Sequence, residues 1–157
     1  MTVRWEAVAA ADLDVRRLHD LLQLRSRIFV VEQDCAYQDV DGLDLLPGTW
    51  HVLAYDGDAL VAYARVLEAT ACVSHSGRTD GLRIGRVLVD ASQRGRRLGH
   101  ELVRRCLEVC RSEHPGVEIV LSAQAHLVDF YGGFGFTATG DEYDEDGIPH
   151  VDMRLTA

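Results

Sequence analysis

The segment VLVDASQRGRRLGHELVRRCLEVCR, residues 87–111, decides the predicted fold. A β-branched apolar run ends at Asp90, and a polar turn with one glycine and three arginines leads into an amphipathic helical pattern. The predicted helix covers residues 96–112, with apolar residues at helical spacing on its inward face: Leu98, Leu102, Val103, Cys106, Leu107 and Cys110. A strand, a tight basic turn and a helix therefore follow one another directly.

The rest of the chain predicts more strands and two more helices around this unit. A hairpin over residues 50–67 turns at Asp56-Gly57, a pair that tolerates the positive φ of a tight turn. A helix capped by Asp12 or Asp14 is expected to run to Ile28, followed by an irregular or briefly helical connection to residue 44. The other strands are expected at residues 3–8, 82–90, 117–123, 134–140 and 150–155, with a loop at 74–81 and a short helix at 125–133. The order β-α-β-β-β-α-β-α-β-β predicts one α+β domain over residues 1–157, with helices on the faces of a mixed sheet.

Charge limits the classes of partner. The chain carries 25 acidic and 16 basic residues, a net charge of −9, which opposes nucleic-acid binding. The basic residues nevertheless concentrate locally, and five arginines fall within residues 94–105: Arg94, Arg96, Arg97, Arg104 and Arg105. The imbalance predicts an anionic ligand at the turn.

Several other classes of site are not predicted. No apolar run approaches the roughly 20 residues of a membrane span, and the N-terminal residues lack a signal-peptide core, so a cytoplasmic protein is expected. The cysteines (Cys35, Cys72, Cys106 and Cys110) form no CxxC pair, and reduced, partly buried thiols without a metal are predicted.

The turn itself has the chemistry of an anion site. A helix N-terminus presents free N–H groups and the positive end of the helix dipole, and Gly95 and Gly99 allow a ligand to approach the backbone. Arg94, Arg96 and Arg97 add charge suited to phosphate. The segment is neither a Walker A loop nor a GxGxxG motif. On its own, an ordinary turn with a solvated basic helix start explains it equally well.

The sequence Arg94-Gly95-Arg96-Arg97-Leu98-Gly99 resembles the acyl-coenzyme-A-binding motif of the GNAT (GCN5-related N-acetyltransferase) superfamily. Arg97 stands where the family usually has glycine. The resemblance implies that backbone amides of this loop bind the coenzyme pyrophosphate. It also implies that the preceding strand residues, Val87, Leu88 and Val89, hydrogen-bond the pantetheine arm.

A second resemblance lies downstream. GNAT proteins often have an asparagine, a tyrosine seven residues later and then a Gly-Phe pair, and this chain has Gln124, Tyr131 and Gly135-Phe136. Blocks along nearly the whole chain, such as residues 21–44 and the AQAHLVDFYGGFGF segment, are similar to the ElaA-like GNAT subfamily. Membership implies the GNAT acyltransferase fold, a mixed, mostly antiparallel central sheet flanked by helices. It also implies acetyl-coenzyme A as co-substrate, with no metal.

Acetyl transfer from a thioester to an amine needs a neutral amine, a stabilised oxyanion and a protonated leaving thiol. By the resemblance, Tyr131 is the donor to the sulfur, although a Tyr that merely packs the short helix fits the pattern as well. A backbone N–H of residues 87–89 is expected to contact the oxyanion.

The general base is left open among Glu32, His126 and His150. Glu32 fits equally a structural ion pair with Arg25, Arg27 or Arg65. Each histidine fits a purely structural role. Arg83 and Arg86 occupy the central strand where many relatives have an acid.

Two acidic clusters are expected to flank the acceptor side. They comprise Asp39, Asp41 and Asp44, and then Asp141, Glu142, Asp144, Glu145 and Asp146. They favour a cationic amine acceptor by electrostatic attraction, although solvated loop charge explains them too.

The leading hypothesis is an N-acetyltransferase that works by direct transfer in a ternary complex. The main alternative is a noncatalytic GNAT domain that binds acyl-coenzyme A as a sensor or interaction module. A nucleotide-binding regulator or a nucleic-acid-binding protein is a weaker alternative. A homodimer is expected by analogy with the family alone.

Overall fold

The structure is a computed structural model that describes residues 2–68 and 81–156. Its strands are β1 (Val3–Ala9), β2 (Trp50–Asp56), β3 (Ala59–Glu68), β4 (Leu82–Val89), β5 (Ile119–Gln124), β6 (Thr137–Ala138), β7 (Tyr143–Glu145) and β8 (Ile148–Leu155). The helices are α1 (Val15–Arg25), which continues as a π-helical segment (Ser26–Glu32), α2 (Leu98–Glu113) and the short α3 (Val128–Gly132).

These strands form one eight-stranded sheet in the order β1-β2-β3-β4-β5-β8-β6, with β7 paired to β8. All pairs are antiparallel except β4 and β5, which run parallel because α2 crosses over between them. The predicted α+β class and mixed, mostly antiparallel sheet are confirmed.

Local differences from the sequence prediction have identifiable causes. The helix α2 begins at Leu98 and not at Arg96, because Arg97 has a left-handed conformation (φ +61°) that no α-helix accommodates. The predicted strand at 134–140 shortens to two residues, and β7 was not predicted at all. Asp14, one of the two proposed caps, accepts a hydrogen bond from the Arg17 N–H at 2.8 Å. Of the predicted loop at 74–81, all but Gly81 lies outside the described residues, as does Cys72.

Each face of the sheet is covered by one helix. The predicted inward face of α2 is buried and packs on strand residues such as Val66 and Ile84. On the opposite face, Leu21 and Leu24 of α1 pack against residues that include Tyr63 and Leu88. Complete burial raises the pKa of the Cys106 thiol, which keeps it protonated and apolar.

The centre of the sheet is split. The strands β4 and β5 pair only at Leu82–Ile119 and Arg83–Val120, near their beginnings. Further along, β4 bulges against β3, since Arg65 lies opposite Gly85 but Tyr63 lies opposite Leu88, and Arg86 takes a positive φ of 54°. The bulge turns the end of β4 away from β5. A gap therefore opens between two adjacent strands in the middle of the sheet.

Candidate active site

The gap between β4 and β5 forms a cleft of about 770 Å³. Most of the residues singled out in the sequence line it: Glu32, Val87, Leu88, Val89, Arg94, Gln124, His126, Tyr131 and His150. The other residues of the loop motif (Gly95, Arg96, Arg97, Leu98 and Gly99) lie beyond its lining, between the end of β4 and the first turn of α2. Four parts of the chain that are distant in sequence, namely the end of α1, β4 with its loop, the segment from β5 to α3, and β8, thus bring the predicted site together.

The loop from β4 to α2 is shaped by local hydrogen bonds. The Asp90 carboxylate accepts bonds from the Ser92 N–H (2.9 Å) and the Ser92 hydroxyl (2.7 Å), which fold the chain into a tight turn. Gly95 follows at φ +80°, with nothing within 4 Å of the position that a Cβ would occupy. A ligand can therefore approach the backbone here closely, next to the N–H groups that begin α2.

Arg94 connects this loop to the other wall of the cleft. Its Nε donates to the Val89 carbonyl oxygen at 3.2 Å, and its Nη2 lies 2.5 Å from Oε1 of Glu32. The sequence had offered Arg25, Arg27 or Arg65 as ion-pair partners of Glu32, and all three are wrong. The partner is an arginine of the loop motif itself, so Glu32 lies beside the loop from β4 to α2.

Tyr131 lies deep in the cleft on α3. It is 6% exposed and packs edge-on against Phe130 (5.1 Å between centroids) and Phe136 (6.2 Å). Burial, with a smaller effect of nearby Cys106, raises the pKa of Tyr131 to about 12, so the phenol stays protonated at neutral pH. Within residues 2–68 and 81–156 its hydroxyl has no hydrogen-bond partner. A protonated phenol is thus available to a ligand in the cleft.

His150 enters from β8, opposite Gln124 of β5. Its Nδ1 is 2.7 Å from the Ile148 carbonyl oxygen, which can only accept, so we assign the neutral ring's proton to Nδ1. The Nε2 nitrogen then carries the lone pair, 3.5 Å from Oε2 of Glu145. His126, by contrast, is exposed at the start of the turn that precedes α3. Of the two histidines, His150 has the orientation of a proton acceptor.

Beside His150, a polar group on the β5–β8 wall was missed in the sequence. The Tyr143 hydroxyl bonds to the Ser122 hydroxyl and donates to Asp152 Oδ1 at 2.8 Å. Burial is the main cause that raises the pKa of Tyr143 to about 12. No spacing in the sequence links these residues, since they meet only when β7 and β5 pair with β8.

The first acidic cluster does not carry solvated loop charge. Its three aspartates (Asp39, Asp41 and Asp44) bind three arginines (Arg25, Arg65 and Arg86) in a network of short contacts. The fully buried Arg25 contacts Asp39 at 2.8 Å and Asp44 at 2.6 Å. Three opposite charges on each side cancel, so this cluster presents no net negative charge to an acceptor.

The network also changes the pKa of the Asp41 carboxyl. Burial raises the pKa of Asp41, but the hydrogen bonds and charge of Arg65 outweigh burial and lower it to about 2. The second acidic cluster differs from the first: it runs from just before β7 into the turn towards β8, and its Glu145 and Asp146 line the cleft.

The family is decided by comparison with known proteins. The sequence profile of the acetyltransferase (GNAT) domain matches residues 29–157. The chain belongs to the GNAT superfamily. Protein ElaA of Escherichia coli (strain K12) is 42% identical over 151 residues, which cover 96% of this chain and 95% of that protein. This GNAT protein is thus ElaA-like, as the sequence predicted.

Solved structures of similar proteins have the same fold. The crystal structure of Escherichia coli ElaA superposes with a TM-score of 0.89 at 41% identity, covering 98% of this chain and 99% of that one. An acyl-CoA N-acyltransferase from Pseudomonas aeruginosa superposes with the same TM-score at 43% identity and the same coverage. The predicted GNAT fold is therefore confirmed, and the GNAT fold is one that binds acyl-coenzyme A.

No helix in the described part of the chain is long and apolar enough to cross a membrane. Residues 2–68 and 81–156 contain no group of three His, Cys, Asp or Glu side chains placed to hold a metal ion.

Proposed function

We propose that this GNAT protein transfers an acetyl group from acetyl-coenzyme A to a primary amine, by direct attack within a ternary complex. The observation that carries the proposal is the free, protonated phenol of Tyr131 in a cleft that opens between β4 and β5. A proton donor at the leaving sulfur assists thioester transfer.

The donor substrate fits the cleft through groups of two kinds. Past the bulge, the backbone of Val87, Leu88 and Val89 faces the gap without pairing to β5, and can bind the amides of the pantetheine arm. At the end of β4, Arg94, Arg96 and the N–H groups around Gly95 and Gly99 suit the pyrophosphate. Arg97 and Leu98 place those N–H groups by turning the chain into α2.

In the proposed reaction the amine nitrogen attacks the thioester carbonyl carbon. The new C–N bond forms and the C–S bond breaks, while a backbone N–H of residues 87–89 stabilises the oxyanion. His150 Nε2 accepts the proton that the nitrogen loses, and Tyr131 gives its proton to the departing thiolate. Glu32 and His126 are less suited to the role of base, because Glu32 already pairs with Arg94 and His126 is exposed.

A covalent acyl-cysteine is not needed. Among the described cysteines, Cys106 and Cys110 lie on the buried face of α2, and Cys35 alone lines the cleft. Burial raises the pKa of the Cys35 thiol, and nearby Asp146 raises it further, so its nucleophilic thiolate is disfavoured. Direct transfer is therefore the simpler route.

The first test is calorimetric titration with acetyl-coenzyme A, dephospho-coenzyme A and ATP. The wild type should bind acetyl-coenzyme A, and an Arg94→Ala, Arg96→Ala double variant should bind it at least tenfold more weakly. An Arg104→Ala, Arg105→Ala double variant is the matched control, since those arginines pair with Glu101 on the surface of α2. Equal weakening by both double variants, or no binding by the wild type, would reject the proposed donor site.

The alternative is a noncatalytic domain that binds acyl-coenzyme A as a sensor. Two observations favour it: Arg97 in a position that favours glycine, and arginine in place of an acid at position 83. A screen of primary amines that releases no coenzyme A, from a protein that binds acetyl-coenzyme A tightly, would select this alternative.

A further inference from the structure

Arg83 lies at the beginning of β4, at the other end of that strand from the proposed phosphate site. It faces Leu67 on β3 and Val120 on β5, and it lines the cleft together with Leu67. Since residues opposite each other on paired strands share a face, Arg83 lies on the side of the sheet that carries Arg65.

Arg83 is unlike the other arginines of this wall, because its charge is not compensated. Arg25, Arg65 and Arg86 are each paired with aspartates, whereas Arg83 forms no ion pair or hydrogen bond with any residue in the described ranges. Its Nε is fully buried and has no partner there. A partly buried guanidinium without an anion is costly, and a ligand that supplies one is bound correspondingly well.

The opposite wall has the opposite charge. Glu145 and Asp146 line the cleft from the β7–β8 hairpin, on the far side of β5. The cleft thus presents a free guanidinium on one wall and carboxylates on the other. Such a charge pattern complements a molecule that carries both an ammonium and an anionic group.

We propose that Arg83 binds the carboxylate of the acceptor, so that the acceptors of this protein are amino acids or short peptides. The inference rests on the proposed function and adds the substrate class. Arg83 precedes Val87 by four residues, roughly 13 Å along an extended strand, and an arginine side chain bridges about half of that. The remaining distance suits the separation of amine and carboxylate in one or two amino-acid residues. A guanidinium is also the group best matched to a carboxylate, through two parallel hydrogen bonds.

The test compares free L-amino acids with the same amino acids as α-carboxamides, for wild type, Arg83→Gln and Arg83→Lys. Acetyl transfer is followed by release of coenzyme A, and KM and kcat are separated. For the wild type, KM should be about tenfold or more lower for the free amino acids than for their α-carboxamides, with similar kcat. The amides lack the carboxylate that would form a charged hydrogen-bonded pair with Arg83. Arg83→Gln should reduce the preference to near unity, and Arg83→Lys should retain part of it.

A second readout does not depend on turnover. Thermal shift in the presence of coenzyme A should show stabilisation of the wild type by N-acetyl-amino acids and not by their amides, and Arg83→Gln should lose it. Equal behaviour of acids and amides, or a preference that survives in Arg83→Gln, overturns the role of Arg83. Failure of the proposed function itself is recognised separately, as absence of acetyl-coenzyme A binding or of any coenzyme A release.

Discussion

Glu32 forms an ion pair with Arg94 at 2.5 Å, across the mouth of the cleft. The carboxylate comes from the π-helical end of α1, and the guanidinium comes from the loop that is proposed to bind phosphate. In the free protein, Glu32 therefore neutralises the positive charge of Arg94, which the proposed site would otherwise present to the coenzyme. If the loop binds the coenzyme phosphates as proposed, Glu32 competes with them for Arg94.

Replacement Glu32→Gln should therefore improve binding of acetyl-coenzyme A. The pair is solvent-accessible, so the gain in Kd is expected to be small, up to about fivefold. Titration calorimetry measures it. An unchanged kcat with a lower KM would assign Glu32 to the donor site, whereas a loss of kcat above about 100-fold would restore Glu32 as the base.

Tyr131→Phe should lower kcat by about 100-fold or more, because general-acid catalysis typically contributes that much. Steady-state release of coenzyme A measures the effect, and KM for acetyl-coenzyme A should change little. Since the pKa of Tyr131 is about 12, the phenol loses its proton only as the pH approaches that value. Tyr131 should therefore contribute no loss of activity between pH 7 and about 10. The control is Tyr55→Phe, a similarly buried tyrosine packed under α1; an equal loss there would remove the catalytic argument.

Arg97→Gly should stabilise the fold. A left-handed conformation costs a non-glycine residue about 1–2 kcal/mol, and glycine removes this cost. The greater conformational freedom of glycine in the unfolded chain offsets about 0.5–1 kcal/mol of that gain. Chemical denaturation should show the free energy of unfolding higher by about 0.5–1 kcal/mol. Arg96→Gly is the matched control, since residue 96 is not among those with positive φ, and it should be destabilising. A loss of stability in Arg97→Gly would mean that the arginine side chain makes up for the strain.

Arg25→Met should destabilise the protein by about 3–5 kcal/mol, because it removes one arginine from a buried network and leaves an uncompensated negative charge there. Asp39 keeps only Arg86, and Asp44 keeps only Arg65. The measurement is urea denaturation. Arg27→Met removes a neighbouring, exposed arginine that pairs with Asp90 and should cost about 1 kcal/mol at most. Similar losses in the two variants would show that the network around Arg25 contributes no more than a surface pair.

His51 makes stability depend on pH. Burial lowers the pKa of His51 from its ordinary 6.5, and the hydrogen bond to the Asp44 carbonyl only partly offsets this. Below pH 6.5, His51 is thus protonated in the unfolded chain but still neutral in the folded protein. The free energy of unfolding therefore falls as the pH decreases towards the folded pKa. His51→Asn should flatten this dependence by up to about 1.4 kcal/mol per pH unit. Parallel pH profiles of wild type and variant would contradict the assignment.

The sequence by itself determined the local conformations and the buried face of α2, which depend on residues that are close together in the chain. The strand, the turn at Gly95 and the amphipathic pattern of α2 are contiguous, so their local conformations and buried face could be predicted from spacing alone. Resemblance added the family and placed Gln124 and Tyr131 in the site. Even here the helix start was off by two residues, because the positive φ of Arg97 follows from how the loop joins β4 to α2 and not from the propensity of arginine.

Only the tertiary structure decided how charges pair and where the site opens. In the sequence, Asp39, Asp41 and Asp44 fit either attraction of a cationic acceptor or solvated loop charge, but in the structure they pair with three arginines that come from α1, β3 and β4. The bulge at Arg86 separates β4 from β5, and no local pattern predicts such a divergence between strands that are 30 residues apart. Ion pairs and strand partners are long-range properties, set by which surfaces the packed core brings together, and that is why Arg83 is left without a partner in the described chain while its neighbours are paired.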